Sequence, residues 1–168
     1  SASTKPRKEV INVLVQTMEE NYANPDAIHD FSHKTLLKIK NAKKIVSDYL
    51  KVEADRIYFT AGGGDGNNLV LQGIINANSR IKKHLITTKI EHPSVYEVFK
   101  HYENLGFEVD YLNVDKDGFI DIEELENTIR EDTVIVSVGA VNSETGAIQD
   151  LEKISKIIKM KKLKNVVV

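Results

Sequence analysis

Phe59-Thr60-Ala61-Gly62-Gly63-Gly64-Asp65-Gly66-Asn67-Asn68 is the stretch that decides how this chain is read. The apolar run Ile57 to Phe59 just before the turn predicts a short buried strand. A glycine-dense turn follows, and then Leu69, Val70, Ile74 and Ile75 recur at helical spacing. Strand, glycine turn and helix in that order present bare backbone N–H groups and a helix N-terminus to an anion, usually a phosphate. Glycine suits such a turn because it adopts positive φ and allows close backbone approach. The glycines are not in the order of the dinucleotide fingerprint, and no Lys-Ser or Lys-Thr follows as in a P-loop. At this level a phosphate cradle and a plain tight turn between strand and helix both stay open.

Outward from that stretch, the apolar spacing alternates between the two regular periods. Val10, Val13, Leu14 and Met18 predict a first helix that fades near Asn21, and Asn24-Pro25-Asp26 predicts a turn. Leu36, Ile39, Ala42, Ile45, Val46 and Tyr49 predict a long amphipathic helix over 31–50, with its lysines on the other face. A strand over 56–60, the glycine turn and a helix over 65–76 follow, then a strand over 85–88. Pro93 suits the first turn of a helix running to about residue 104, and Gly106 suits its end. Residues 107–112 alternate as a strand does. A helix over 122–130, a buried strand over 133–138, a helix over 150–162 and a last strand over 166–168 complete the pattern. Strands alternating with helices predict an α/β fold, a mainly parallel sheet with helices on both faces, here as a single domain over 1–168. Ligands in such sheets lie beyond the carboxyl ends of the strands. The glycine turn, the Glu91-His92-Pro93 turn and the loop from Asn142 to Gly146 are thereby expected at one edge. There is no internal repeat and no linker.

Composition narrows the function classes. The 168 residues are 41% hydrophobic and 29% charged, with a net charge of -2, as in an ordinary globular domain. That balance gives no reason to expect a nucleic-acid or membrane partner. No apolar run has the length of a membrane span and no secretory pattern opens the chain. Cysteine is absent, so these residues supply no disulfide, thiolate metal site or cysteine nucleophile. Cytoplasmic residence is the default expectation. Asn165-Val166-Val167-Val168 is an apolar β-branched run of the core-strand type, and the chain reads as a piece of something longer.

Two motifs compete with the glycine turn. The segment from Asn113 to Glu124 matches a calcium-binding loop, with oxygen ligands at Asn113, Asp115, Asp117 and Asp121, glycine at Gly118 and glutamate at the twelfth position. An EF-hand needs a helix before that loop, and residues 107–112 are strand-like. Asp117-Gly118 reads better as a turn, and Asp121 with Glu124 as a capping box. His29 and His33 are four apart and would share a metal if helical, but no carboxylate or thiol completes a site. No metal is expected. His33 and His101 read as surface residues, and His84 has no assigned role. Lys156, Lys159, Lys161, Lys162 and Lys164 read as a solvated helix end, with an anionic partner as the other reading.

Six segments, in order and across essentially the whole chain, give it a resemblance to a known family. Ser1-Ala2-Ser3-Thr4-Lys5-Pro6 is similar to an opening Asp-Asn-Ala-Ala-Thr-Thr that lacks its first residues. Asn24-Pro25-Asp26-Ala27-Ile28-His29 is similar to Asn-Pro-Ser-Ser-x-His, and the Phe59 to Asn68 stretch to Phe-Thr-Ser-Gly-Gly-Thr-Glu-Ala-Asn-Asn. Glu91-His92-Pro93-Ser94-Val95 is similar to Glu-His-x-x-Val, Val114-Asp115-Lys116-Asp117-Gly118 to Val-Asp-x-x-Gly, and Val141 to Gln149 to Val-Asn-Asn-Glu-x-Gly-x-x-Gln. Together they resemble the cysteine desulfurases of the class V aminotransferase group, in the iron–sulfur-cluster branch. These are pyridoxal-5'-phosphate (PLP) enzymes. The resemblance implies the N-terminal part of their PLP-binding large domain, of the aspartate aminotransferase-like fold.

The resemblance also implies roles. Cofactor binding falls to Gly63, Gly64, Asp65, His92 and Ser143, and a catalytic role to His92. His92 would stack its imidazole on the PLP ring and move protons; its other reading is a cap on the helix that starts at Pro93. Gly63 and Gly64 would give backbone N–H groups to the phosphate. Two positions depart from the family. Gly64 stands where a threonine hydroxyl also binds the phosphate, and Ser143 where an asparagine contacts the 3'-oxygen. Serine donates a hydrogen bond but is shorter. The family's chains are more than twice this long. Its aspartate for the pyridine nitrogen, the lysine that binds PLP covalently and the nucleophilic cysteine are expected beyond Val168, so these residues alone are expected to be inactive. L-cysteine is the implied substrate, a homodimer the implied assembly and a sulfur-acceptor protein the implied partner. Other readings are a selenocysteine lyase or aminotransferase of the same group, a non-catalytic scaffold, or a phosphate- or nucleotide-binding α/β domain.

Overall fold

A computed structural model describes residues 4–80, 83–162 and 166–167. Two compact units divide the chain, Ser1–Phe59 and Thr60–Val168. The second unit is built on four strands: β1 His84–Thr88, β2 Glu108–Leu112, β3 Thr133–Ser137 and β4 Val166–Val167. All pair in parallel, in the order β2-β1-β3-β4. Val168, the last residue of the predicted strand, lies outside the described residues, as do Ser1, Ala2 and Ser3 of the opening segment. Strands β1 and β3 are buried along their whole length, which is why they are rich in β-branched and apolar residues. Strand β2 alternates, with Glu108 and Asp110 exposed, the pattern of a strand at the side of a sheet.

Helices cover both faces, as the alternating periods predict. Helix α3 (Gly63–Asn78) and α4 (Pro93–Asn104) pack Leu71, Ile75 and Phe99 with Leu85 and Ile135 of the sheet. On the other side α5 (Ile122–Thr128) and α6 (Leu151–Met160) pack Leu125, Ile154 and Ile157 with Ile86 and Val136. Register between β1 and β3 shifts once. His84 pairs with Thr133 but Leu85 pairs with Ile135, so Val134 is an extra residue and the ladder bulges there. His84 is fully buried at this point. Its ring bridges three strands, with Nδ1 2.8 Å from the Thr133 hydroxyl and Nε2 2.9 Å from an Asp110 carboxylate oxygen. The residue without a role in the sequence is thus a cross-strand clip.

Thr87 offers a test of core energetics. It is fully buried in β1, and its hydroxyl has no hydrogen-bond partner. An unpaired buried hydroxyl carries its desolvation penalty uncompensated. Thr87→Val, which exchanges the hydroxyl for a methyl of similar shape, is expected to raise stability by about 1 kcal/mol. Urea unfolding checks this. A loss of stability would mean that the hydroxyl is satisfied in solution.

In the first unit, α1 (Lys8–Glu20) and α2 (Asp30–Leu50) form as the periodicity predicts, followed by a short 3-10 turn, Ala54–Arg56. Asn24 makes the predicted turn, its side-chain oxygen accepting from Asp26 N–H. His29 is the N-cap of α2, in extended backbone rather than helix, and its Nδ1 accepts from Ser32 N–H. It therefore does not share a helical face with His33, the condition on which a shared metal depended. The predicted strand over 56–60 is also absent. Those residues join no sheet, and Tyr58 and Phe59 are 74% and 57% exposed. A strand exists only where a ladder satisfies its backbone, and no described strand pairs with this one. The apolar stripe of α1, including Leu14 and Met18, is likewise exposed.

The winding of the second unit fixes where a ligand fits. The connection after β1 leads to α4 on one face, and the connection after β3 leads to α6 on the other. Since β1 and β3 are neighbours, their outgoing loops diverge and leave a crevice beyond their carboxyl ends, the switch point of an open parallel sheet.

Candidate active site

The crevice is a cleft of about 600 Å³. Three pieces of chain line it: Thr88 to Val95 after β1, Ser137 to Gln149 after β3, and Asn67 from the second turn of α3. Each piece is shaped by a short-range reason. After β1 the chain must leave the sheet and start α4. Pro93 takes the first helical position and His92 the N-cap, where a side-chain acceptor satisfies an otherwise orphan N–H. Here the acceptor is His92 Nδ1, 3.1 Å from Ser94 N. His92 is exposed on the cleft wall, so it has both of the positions that the sequence left open: it caps α4 and it faces the cleft.

Glu91 ties the two divergent loops together. One carboxylate oxygen accepts from the Thr88 hydroxyl at 3.0 Å and from Gly139 N–H at 2.8 Å. A Cβ on Gly139 would lie 3.2 Å from the other carboxylate oxygen, so glycine is what lets the β3 exit approach so closely. Asn142 organises the next turn. Its side-chain oxygen accepts from Glu144 N–H and Thr145 N–H, while its amide donates to Ile90 O at 3.1 Å. Gly146 completes the turn with φ +77°. Ser143 rides on this turn and lines the cleft.

Beneath that loop lies the segment that resembles a calcium loop. Its Asp115 carboxylate accepts from Asp117 and Phe119 N–H, both at 2.9 Å. Asp121 caps α5 as predicted, but Glu124 does not close a capping box. It turns back to accept from Asn113 N–H and its side-chain amide. Among the described residues no group of three or more His, Cys, Asp or Glu is placed to hold a metal ion. Gly118 has φ +89°, and a Cβ there would stand 3.1 Å from the Thr145 hydroxyl. Buried Gln149 clips the two loops, accepting from Ile120 N–H and donating to Gly118 O at 2.7 Å. The segment is thus the floor of the cleft loop.

Backbone hydrogen bonds, that from Phe119 foremost, hold the Asp115 carboxyl below its usual range. A carboxyl whose folded pKa is depressed adds stability that is present above its unfolded value, near 4, and is lost as pH falls through the lower folded value. Asp115→Asn is expected to narrow its stability gap to the wild type as pH falls from about 5 to about 3. Unfolding midpoints across that window check it, and a constant gap would contradict it.

The third piece, Asn67, follows directly on the glycine turn. Gly62 is the N-cap of α3, and the glycines form its first turn instead of a loop before it. The first intrahelical bond runs from Gly66 N to Gly62 O, which leaves the earlier first-turn N–H groups without helical acceptors. The space around Gly62 and Gly63 is open, with nothing within 4 Å of a Cβ built on either. Asp65 turns its carboxylate back to Ala61 N–H at 3.1 Å. Gly63, Gly64 and Asp65 stand one turn before Asn67 and do not themselves line the cleft. An anionic group reaching from the cleft to this turn would find free donors and the positive end of a helix dipole.

His92 and Ser143 are therefore brought to one cleft, with the glycine turn at its margin. Sequence reasoning missed the supports: Glu91, Asn142 and Gln149 were legible only as members of motifs, Ser94 not as a partner of His92 and Asn67 not as a partner of Ser94. Asn142 carried a local signal, an asparagine before a glycine-containing turn. Gln149 carried none, because its partners lie about thirty residues away in sequence.

The sequence profile described as Aminotransferase class-V matches residues 1–168. The chain belongs to the class-V aminotransferases. Cysteine desulfurase IscS of Dictyoglomus turgidum is 38% identical over 95% of this class-V aminotransferase chain and 40% of that protein. A solved structure titled NIFS-like protein matches with a TM-score of 0.95 at 34% identity, over 98% of this chain and 46% of that one. Another, titled SspA in complex with cysteine, gives a TM-score of 0.92 at 33% identity, over 98% and 47%. The chain thus spans less than half the length of these relatives and corresponds to their N-terminal part. No described helix is long and apolar enough to cross a membrane.

Proposed function

We propose that the full-length protein is a PLP-dependent cysteine desulfurase. The observation that carries this is the switch-point cleft of a class-V aminotransferase chain, with His92 on one wall, Ser143 on the other and the free N–H groups of α3 at its margin. The residues fit the cofactor. An open helix N-terminus suits its phosphate, an exposed imidazole its ring, and the Ser143 hydroxyl its 3'-oxygen. When bound, PLP supplies an electron sink for bond breaking at the substrate.

The chain's own residues do the rest. Gly63 and Gly64 donate backbone N–H groups to the phosphate. Asp65 contributes its place in that first turn, since its carboxylate is engaged by Ala61. His92 covers the ring and moves protons at the cleft wall. In the overall reaction the Cβ–S bond of L-cysteine breaks. The sulfur passes to an enzyme thiolate as a persulfide, and the carbon takes a proton to give L-alanine. None of the 168 residues is cysteine, so the thiolate belongs to the longer chain. The neighbour titled as a cysteine complex supports that substrate. We place the protein in the cytoplasm as a homodimer that hands sulfur to an acceptor protein. The exposed apolar stripe of α1 fits a surface that further chain or a second copy covers.

The test is alanine formation from L-cysteine by the full-length protein with and without PLP. PLP-dependent alanine in step with persulfide supports the reading. Bound PLP with no alanine points to another amino acid as substrate.

Gly64 gives a second test. A Cβ there would meet only Ser94 Cβ, at an ordinary 3.7 Å, so a side chain is accommodated. Gly64→Thr adds a hydroxyl beside the phosphate site, and a hydrogen bond to a charged group contributes about 1.5 kcal/mol, roughly tenfold in affinity. Titration of the full-length apoprotein with PLP is expected to show that tightening. Unchanged affinity would place the phosphate elsewhere.

A further inference from the structure

His92 is held by more than its place at the start of α4. The Ser94 backbone N–H points at its Nδ1 from 3.1 Å, and the Ser94 hydroxyl oxygen lies 2.8 Å from the same nitrogen. The hydroxyl oxygen in turn lies 2.9 Å from the Asn67 side-chain nitrogen on α3. These contacts have one consistent polarity. A backbone N–H can only donate, so Nδ1 is an acceptor and carries no hydrogen. A hydroxyl facing an acceptor must donate its hydrogen to it. Its lone pairs then accept from the Asn67 amide, which fixes the amide's orientation as well. The neutral imidazole has one ring hydrogen, which therefore sits on Nε2.

We propose that Ser94, oriented by Asn67, is a positioning residue that locks His92 as the neutral Nε2–H tautomer. The resting histidine then meets the substrate as a hydrogen donor at Nε2, and proton uptake at Nδ1 waits on the relay turning round. A hydrogen on Nδ1 would face the Ser94 N–H and forfeit that bond. It would also force the hydroxyl to turn round, and with it the Asn67 amide. The relay joins α3 to the start of α4 along one wall of the cleft, because Asn67 stands one turn beyond the glycine cradle and His92 caps α4. The proposal rests on the cleft being the PLP site.

Its test uses the full-length protein with PLP and 15N-labelled histidine. Ring correlation spectra report which nitrogen carries the proton, and the His92→Gln spectrum assigns the signals. The wild type is expected to show the proton on Nε2. Asn67→Asp, nearly the same shape, replaces the donor by an acceptor that claims the Ser94 hydrogen. The hydroxyl then offers Nδ1 a lone pair, and population is expected to move toward a protonated Nδ1. Ser94→Ala is expected to lower kcat about a hundredfold, the scale of a misplaced acid–base group, with KM for L-cysteine unchanged. Ser94→Thr is expected to restore kcat. A wild-type proton on Nδ1 overturns the proposal, as does an Asn67→Asp spectrum identical to the wild type or a Ser94→Ala kcat equal to it. A protein that makes no alanine from cysteine sinks the desulfurase reading instead, while the ring spectra still decide the Ser94 relay.

Discussion

Glu91→Ala is expected to cost about 3 kcal/mol of stability and to strip PLP from the full-length protein. The same carboxylate oxygen holds the Thr88 hydroxyl and Gly139 N–H, and Thr88 is buried. Hydrogen bonds to a charged group each contribute about 1.5–3 kcal/mol, and partners left buried and unpaired add their desolvation. The loss is local in origin and shared in effect. Glu91 precedes the N-cap histidine, and Gly139 opens the loop that carries Ser143, so both cleft walls lose their common tie. Glu91→Gln is the informative companion. It keeps an oxygen that accepts both bonds and is expected to retain most of the stability. Urea unfolding with PLP retention after gel filtration checks the pair. A Glu91→Ala variant as stable as the wild type would mean that the carboxylate is not the tie.

Phe99→Ala is expected to cost about 4 kcal/mol, within the range for deleting a buried aromatic ring. Phe99 is fully buried on the inner face of α4, in the cluster with Leu71, Leu85 and Ile135. Since α4 is the helix that His92 caps, the ring also sets where the imidazole stands. A loss of this size is a large share of the ~5–15 kcal/mol that separates folded from unfolded domains. Phe99→Leu is expected to cost only about 1 kcal/mol, because it keeps most of the volume. Urea midpoints with unchanged slopes check both. A Phe99→Ala cost below 1 kcal/mol would show that α4 is not seated by this ring.

The parallel sheet was legible because β1 and β3 are buried on both faces and so are rich in β-branched and apolar residues, while the helices kept their 3.6-residue period. His92 was legible as a cap because Pro93 marks a helix start, and as a candidate site residue only through the resemblance carried by Glu91 to Val95. The strand over 56–60 was misread for a physical reason. Ile57, Tyr58 and Phe59 have strand chemistry, but strand formation depends on a partner ladder that local sequence does not encode. His84 and Gln149 were opaque for the same reason. Their partners, Asp110, Thr133, Gly118 and Ile120, come together only through the crossovers. The apparent calcium loop shows the converse case. A local pattern that matches except for its opening asparagine has its Glu124 turned to Asn113 and its Gly118 packed under Thr145.

The most direct measurement is a crystal structure of the full-length protein with PLP. The account predicts the phosphate against the N–H groups of Gly63 and Gly64, the ring beneath His92 and the 3'-oxygen facing Ser143. PLP bound away from the cleft between β1 and β3, with the first turn of α3 open to solvent, would contradict it.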